Sequence, residues 1–131
     1  MKLNGRVENR IAIVTGAGSG IGEASAIRLA EEGAQVICAD INGAAAQATA
    51  RSITSAGFSS EGYAIDISDS AACDSLIDHA VAKYGAIDIL VNNAGVNLPG
   101  VFHEVTNETI DRTLNVNIKG AMFLTRAALP H

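Results

Sequence analysis

One stretch constrains the fold of this chain more than any other: Thr15-Gly16-Ala17-Gly18-Ser19-Gly20-Ile21-Gly22. It follows a short apolar run, Ile11-Ala12-Ile13-Val14, and precedes a helical pattern. Glycine permits positive φ and lets a ligand or another backbone come close. A helix N-terminus offers unpaired N–H groups and a partial positive charge, which suits a phosphate. A glycine-rich turn between strand and helix therefore reads as a pyrophosphate cradle or, without a ligand, as a tight turn. The spacing is T-G-x-x-x-G-I-G rather than the common dinucleotide pattern G-x-G-x-x-G.

Downstream, apolar runs alternate with helical patterns. The first strand is expected over 10–14. Gly22, Ala26, Leu29 and Ala30 then share a helix face, and Gly33 is a good residue to end that helix. A second strand covers 34–39 and ends in Asp40, and an alanine-rich helix follows from 43 to about 56, closed by Gly57. A third strand is expected over 62–67, with Ser68 as the next N-cap and Asp69 in the first turn. Cys73, Leu76, Ile77, Ala80, Val81 and Tyr84 make the next stripe, ended by Gly85. The fourth strand, 87–91, runs into Asn92-Asn93-Ala94-Gly95. After a loop at 96–105, one long helix is expected from about Thr106 to Leu129, before Pro130. Strand-helix alternation predicts an α/β fold, a doubly wound parallel sheet with right-handed crossovers, in a single domain over 1–131. With four strands, the last is expected to stand at a sheet edge, where unpaired groups invite association.

Composition excludes several partner classes. A net charge of −5 with no run of Lys or Arg argues against nucleic acid and anionic membrane surfaces. No apolar stretch is long enough to span a bilayer, and residues 1–5 carry no secretory signal, so a cytoplasmic location is expected. Cys38 and Cys73 lack metal-ligand spacing and read as small hydrophobes, so no metal site is expected.

Four further positions carry candidate chemistry. Asp40 lies twenty residues after Gly20, where an acid at the end of a second strand can accept hydrogen bonds from an adenosine ribose. A carboxylate there repels a 2′-phosphate, and neither Ser19 nor Ile41 supplies a cation for one, so NAD is expected over NADP. Asp66 with the amide of Ile67 can read an adenine edge, although Asp-x-Ser is equally a capped helix start. Asn92 and Asn93 can pin a strand end, while Ala94 and Gly95 leave room for a ligand. Asn117 shares a face with Ile110, Leu114, Ala121, Leu124 and Ala128. An amide in that stripe is expected to be buried and satisfied, either as a core asparagine or as one that holds a kinked helix beside a reaction centre.

These segments resemble the classical short-chain dehydrogenase/reductase family, over about residues 6–131. Thr15–Gly22 is similar to its cofactor loop, Asp40 to its NAD-selecting acid, Asp66-Ile67 to its adenine contact, and Asn92–Gly95 to its N-N-A-G motif. The resemblance implies a Rossmann-like sheet, hydride transfer between NAD and an alcohol or carbonyl, a homo-oligomer, and Asn117 as the catalytic asparagine of the family's Asn-Ser-Tyr-Lys tetrad. The rest of that tetrad has no counterpart. Tyr63 and Tyr84 are followed at the fourth position by Ile67 and Asp88 rather than Lys, and no Ser or Tyr occurs after Gly95. The resemblance thus implies the cofactor-binding half of an enzyme, inactive on its own. The alternative is a non-catalytic NAD-binding or interaction module.

Overall fold

A computed structural model describes residues 5–131. Residues 1–4 lie outside the described residues. Strands β1 (Ile11–Thr15), β2 (Gln35–Asp40), β3 (Ser60–Ala64) and β4 (Ile89–Val91) form one parallel sheet in the order β3-β2-β1-β4. Helices α1 (Gly20–Glu31), α2 (Gly43–Ser55) and α3 (Ser70–Tyr84) connect successive strands. A 3₁₀ turn at Phe102–Glu104 then leads to α4 (Asn107–Leu114), a π-helical turn at Asn115–Gly120, and α5 (Ala121–Ala128). This is a Rossmann-like sheet whose central strands, β1 and β2, are buried on both faces as their near-continuous apolar sequences require.

The two faces sort by strand alternation. Ala12, Val14, Val36 and Cys38 meet Ala26 and Ala30 of α1 and Ala50 and Ile53 of α2. Ile13, Ile37 and Ala39 meet Leu76, Ile77 and Ala80 of α3 and Leu124 and Ala128 of α5. Small side chains on α1 and α2 let those helices lie close to the sheet. The C-terminus of α1 carries a Schellman motif, in which Gly33 N donates to Ala30 O and Ala34 N to Leu29 O, each at 3.0 Å. The 5–9 segment docks there: Val7 N donates to Glu32 O, and the Arg6 guanidinium pairs with the buried Glu32 carboxylate at 2.8 Å.

Five boundaries differ from expectation, the first being β2, which covers Gln35–Asp40 rather than 34–39. β1 is shifted one residue, to Ile11–Thr15. β3 begins and ends earlier than 62–67, because its ladder is fixed by β2: Val36 pairs with Ser60 and Asp40 with Ala64. Asp66 and Ile67 therefore lie beyond the strand. The cap of α3 is Asp69, whose carboxylate accepts from Ala71 N and Ala72 N, while Ser68 turns back to Asp66. β4 is only three residues long; just before it Asp88 N still donates to Ile11 O at 2.9 Å, while the Asp88 carboxylate takes Ile11 N at 2.8 Å and Arg10 at 3.0 Å.

The long helix expected from 106 to 129 is broken in its middle by the π-helical turn. Its buried residues are Val116, Gly120, Leu124 and Ala128, so the stripe runs at steps of four through the turn. Ile110 and Leu114 are consequently exposed, and so is Asn117. β4 stands at the sheet edge as expected, beside a groove lined by residues including Leu90, Asn92, Thr125 and Leu129.

Candidate dinucleotide site

The chain leaves β1, runs out to β3, and returns to place β4 on the other side of β1. The C-terminal ends of β1 and β4 thus diverge, and open α/β sheets form a crevice at such a switch point. A cavity of about 410 Å³ lies there, lined by the β1–α1 loop, the ends of β2 and β4, and the segment after β3.

The loop is built by close approach. A Cβ on Gly22 would stand 2.1 Å from Gly16 O, so the first turn of α1 presses against the end of β1. Gly16 has φ +65°, and a Cβ there would meet Asn93 Nδ2 at 2.8 Å. Gly20 opens α1 with φ +57° and has nothing within 4 Å of where a Cβ would be. Ser19, Gly20 and Ile21 line the cavity, and Ser19 makes no side-chain cap. By contrast α2, α3 and α4 are each capped by a side chain, from Asn42, Asp69 and Thr106 respectively. The positive end of α1 therefore faces the cavity without a cap of its own.

Asp40 joins this loop to β2. Its Oδ2 accepts from Gly18 N at 2.9 Å and its Oδ1 from Asn42 N at 2.9 Å, so the carboxylate is oriented on the cavity wall. Thr15 joins the loop to β4. Its buried hydroxyl donates to Val91 O and accepts from Asn93 N and Ala94 N at 3.1 and 3.0 Å. Asn93 Nδ2 in turn donates to Thr15 O at 3.0 Å. The N-N-A-G turn is thereby tied to the glycine loop.

Asp66 and Ile67 line the far end of the cavity. Asp66 Oδ1 accepts from Ser68 N at 3.0 Å and Ser68 Oγ at 2.7 Å. The Ser68 hydroxyl, the Ser68 amide and the nearby Arg112 guanidinium hold the Asp66 carboxyl below its usual range, against the opposing effect of partial burial. Asn117 does not line the cavity. Its Oδ1 accepts from Val96 N at 2.7 Å and its Nδ2 donates to Val96 O at 2.8 Å, fixing the backbone of a lining residue from the π-helical turn. The expectation of a buried amide is thus corrected: Asn117 is exposed, and both its polar ends are satisfied by the backbone of one loop residue.

The structure brings Thr15, Gly16, Ser19, Gly20, Ile21, Asp40, Ile41, Asp66, Ile67, Asn93, Ala94 and Gly95 onto one cavity. Gly18 and Gly22 shape the loop from behind. Asn92 points elsewhere, with its Nδ2 donating to Thr125 Oγ1 at 3.0 Å in the β4 groove. Two residues with a part in the site carry no motif in the sequence. Thr49 is buried in α2 and donates to Ala17 O at 2.9 Å, bracing the loop; its place beside Ala46, Ala50 and Ile53 on an otherwise apolar face is the one signal the sequence offers. Arg112 reaches Asp66 from α4, across 46 residues of sequence, and no local pattern marks it.

The cavity, the uncapped α1 terminus and the Asp40 clasp bring backbone N–H groups and an oriented carboxylate to one space. Comparison with known proteins identifies the family. Residues 10–131 match the model of the short chain dehydrogenase family. Over 125 residues the chain is 38% identical to the (2S)-[(R)-hydroxy(phenyl)methyl]succinyl-CoA dehydrogenase subunit BbsD of Thauera aromatica, covering 95% of this chain and 50% of that one. It superposes with a TM-score of 0.91 on a hydroxysteroid dehydrogenase from Escherichia coli, at 35% identity, over 97% of this chain and 54% of the other. A metagenomic short-chain oxidoreductase solved in complex with NADP gives a TM-score of 0.90 at 36% identity, over 94% of this chain and 56% of the other. The chain spans about half the length of the curated relatives it matches. With that match running through the glycine loop, the Asp40 clasp and the Asn117 turn alike, the chain belongs to the short-chain dehydrogenase family of oxidoreductases.

Proposed function

We propose that this chain is the cofactor-binding half of an NAD-dependent short-chain dehydrogenase that interconverts an alcohol and a carbonyl. The observation that carries this reading is the clasp between Gly18 N and Asp40, which builds the phosphate loop and the ribose acid as one unit. The residues present fit a dinucleotide: Gly16 and Gly22 let the loop pack on itself and on Asn93, where a Cβ would collide, and that packing leaves Ser19, Gly20 and Ile21 at the α1 N-terminus lining the cavity.

In this reading the N–H groups of Ser19, Gly20 and Ile21 hold the pyrophosphate. Asp40 accepts from the adenosine ribose, with the amide of Ile41 beside it. Asp66 and Ile67 hold the adenine. Asn93, Ala94 and Gly95 floor the cavity on the side where the nicotinamide would lie, and Asn117 keeps that floor in place through Val96. The bound cofactor would supply or accept the hydride. NAD rather than NADP follows from charge. Asp40 repels a 2′-phosphate, and Arg112, the one cation lining the cavity among the described residues, is paired with Asp66.

The substrate is a small alcohol or carbonyl compound, and the working assembly is a homo-oligomer. Ile118, Met122 and Leu129 are 53%, 64% and 79% exposed along α4–α5, which supports a partner on that face. The 131 residues alone are not expected to turn over substrate, because no Tyr-x-x-x-Lys is present to move the hydroxyl proton. Calorimetric titration of the chain with NAD and NADP tests the reading. NAD should bind more tightly, and Asp40→Ala should weaken NAD roughly tenfold and narrow the gap to NADP. Equal affinities in wild type, or an Asp40→Ala variant that leaves both unchanged, would contradict it.

A further inference from the structure

We infer that Arg112 is a positioning residue for the purine end of the cavity, holding Asp66 so that a carboxylate oxygen accepts from the 6-amino group of adenine. The inference rests on the proposed cofactor site and gives a role in base preference to a side chain that the cofactor reading uses only as the ion-pair partner of Asp66. Three observations carry it. First, the two oxygens of Asp66 are used unequally. Oδ1 takes both hydrogen bonds from Ser68, at 3.0 and 2.7 Å. Oδ2 has a single long contact, to Arg112 Nη1 at 3.4 Å. That contact leaves Oδ2 with acceptor capacity on the cavity side, since an ionised carboxylate has about four lone-pair sites.

Second, Arg112 comes from a different element. The segment after β3 carries Asp66 and Ser68, while α4 carries Arg112, and its Nη1 lies 3.5 Å from Ser68 Oγ as well. A single guanidinium nitrogen, Nη1, therefore reaches both Asp66 Oδ2 and Ser68 Oγ from α4, and that shared, charge-assisted contact limits rotation of the carboxylate. Third, both side chains line the same cavity, and both are 40% exposed, so a ligand can reach them.

The chemistry defines what this end accepts. A carboxylate held ionised is an acceptor only. It fits a purine that presents a donor at its 6-position and repels one that presents a keto oxygen. Adenine meets that requirement and hypoxanthine does not. Arg112 acts here on preference between bases rather than on overall affinity, because an exposed ion pair by itself contributes little.

The test compares NAD with nicotinamide hypoxanthine dinucleotide, in which a keto oxygen replaces the 6-amino group and N1 carries a proton, by calorimetric titration of the wild-type chain and its variants. Wild type should bind NAD about tenfold more tightly than the hypoxanthine analogue. Arg112→Gln should cut that ratio to about threefold or less. Arg112→Lys, which restores the charge, should recover much of it. Arg112→Ala repeats the test with the residue best suited to a helix, should the Gln variant fold poorly. Asp66→Ala should abolish the preference. If Arg112→Gln and Arg112→Ala both keep the wild-type ratio, the inference is wrong, whatever happens to absolute affinity. If wild type binds both dinucleotides equally, the inference falls and the cofactor reading stands. If wild type binds neither, the cofactor reading falls and takes this inference with it.

Discussion

At the scale of single residues, the site is decided by where a side chain is forbidden. The hydrogen in place of a Cβ at Gly22 is what lets α1 start against the end of β1, since a methyl group there would overlap Gly16 O at 2.1 Å. Gly22→Ala should destabilise the chain by more than about 2 kcal/mol and abolish dinucleotide binding, because the backbone must move to admit the methyl. Gly20 differs in kind. Its surroundings are open, and only its φ of +57° opposes a side chain, so Gly20→Ala should cost about 1–2 kcal/mol. Urea unfolding of both variants checks the order. A Gly22→Ala variant as stable as Gly20→Ala would show that the close approach is not what shapes the loop.

At the scale of elements, the long C-terminal helix is where sequence and structure part. Periodicity places Asn117 on a buried face with Ile110 and Leu114 only if a regular α-helix runs through to Leu129. The π-helical turn at Asn115–Gly120 rotates the helix beyond it, and burial then runs through Val116, Gly120, Leu124 and Ala128. Gly120 permits that packing, since a Cβ there would meet Ile67 Cδ1 at 2.6 Å. The one local sign of such a turn is the asparagine in the apolar stripe, read as one that could hold a kinked helix; the Val96 backbone that Asn117 holds lies far off in sequence. Asn117→Ala should cost about 1 kcal/mol and speed hydrogen exchange at the Val96 amide. Unchanged protection at Val96 would mean the loop is held by something else.

Elsewhere the elements are legible in the sequence for good reason. β1 and β2 are buried on both faces and read as continuous apolar runs, and the helix ends at Gly33, Gly57 and Gly85 carry positive φ as their positions suggest. The sequence misplaces β3 because it is an edge strand whose Ser60 and Glu61 give no apolar signal, and its limits come from pairing with β2. Of the site, the strand-end motifs are readable because strand ends converge in a parallel sheet. Arg112 is not, because its role exists only through contact with Asp66.

At the scale of the whole molecule, four carboxylates tie separate segments together. Hydrogen bonds from Arg6, assisted by Arg28, hold Glu32 low. Burial raises Glu61, but Lys83, His79 and Tyr84 outweigh it and link β3 to α3. The amide of Ile11, with Arg10, lowers Asp88, and Ser68 with Arg112 lowers Asp66. Each folded-state value lies below the ordinary 4.5 of glutamate or 3.8 of aspartate. The unfolded chain therefore binds more protons as pH falls, and the stability these contacts supply, present above those values, is lost below them. The melting temperature should be level from neutral pH to about pH 5 and fall below it. A melting temperature unchanged down to about pH 3 would contradict these four assignments. The exposed apolar residues of α4–α5 and the open edge of β4 make a second expectation. Sedimentation should find oligomers, and a strictly monomeric chain at high concentration would remove the proposed partner from that face.

The central claim, that the crevice between β1 and β4 holds a nicotinamide dinucleotide, is tested most directly by titrating NAD into the isotopically labelled chain and following backbone amide resonances. Saturable shifts are expected in four separate segments, at Gly16–Gly22, Asp40–Asn42, Asp66–Ser68 and Asn93–Val96, with the outer faces of α2 and α3 unmoved. An absence of saturable shifts, or shifts confined to the groove beside β4, would contradict it.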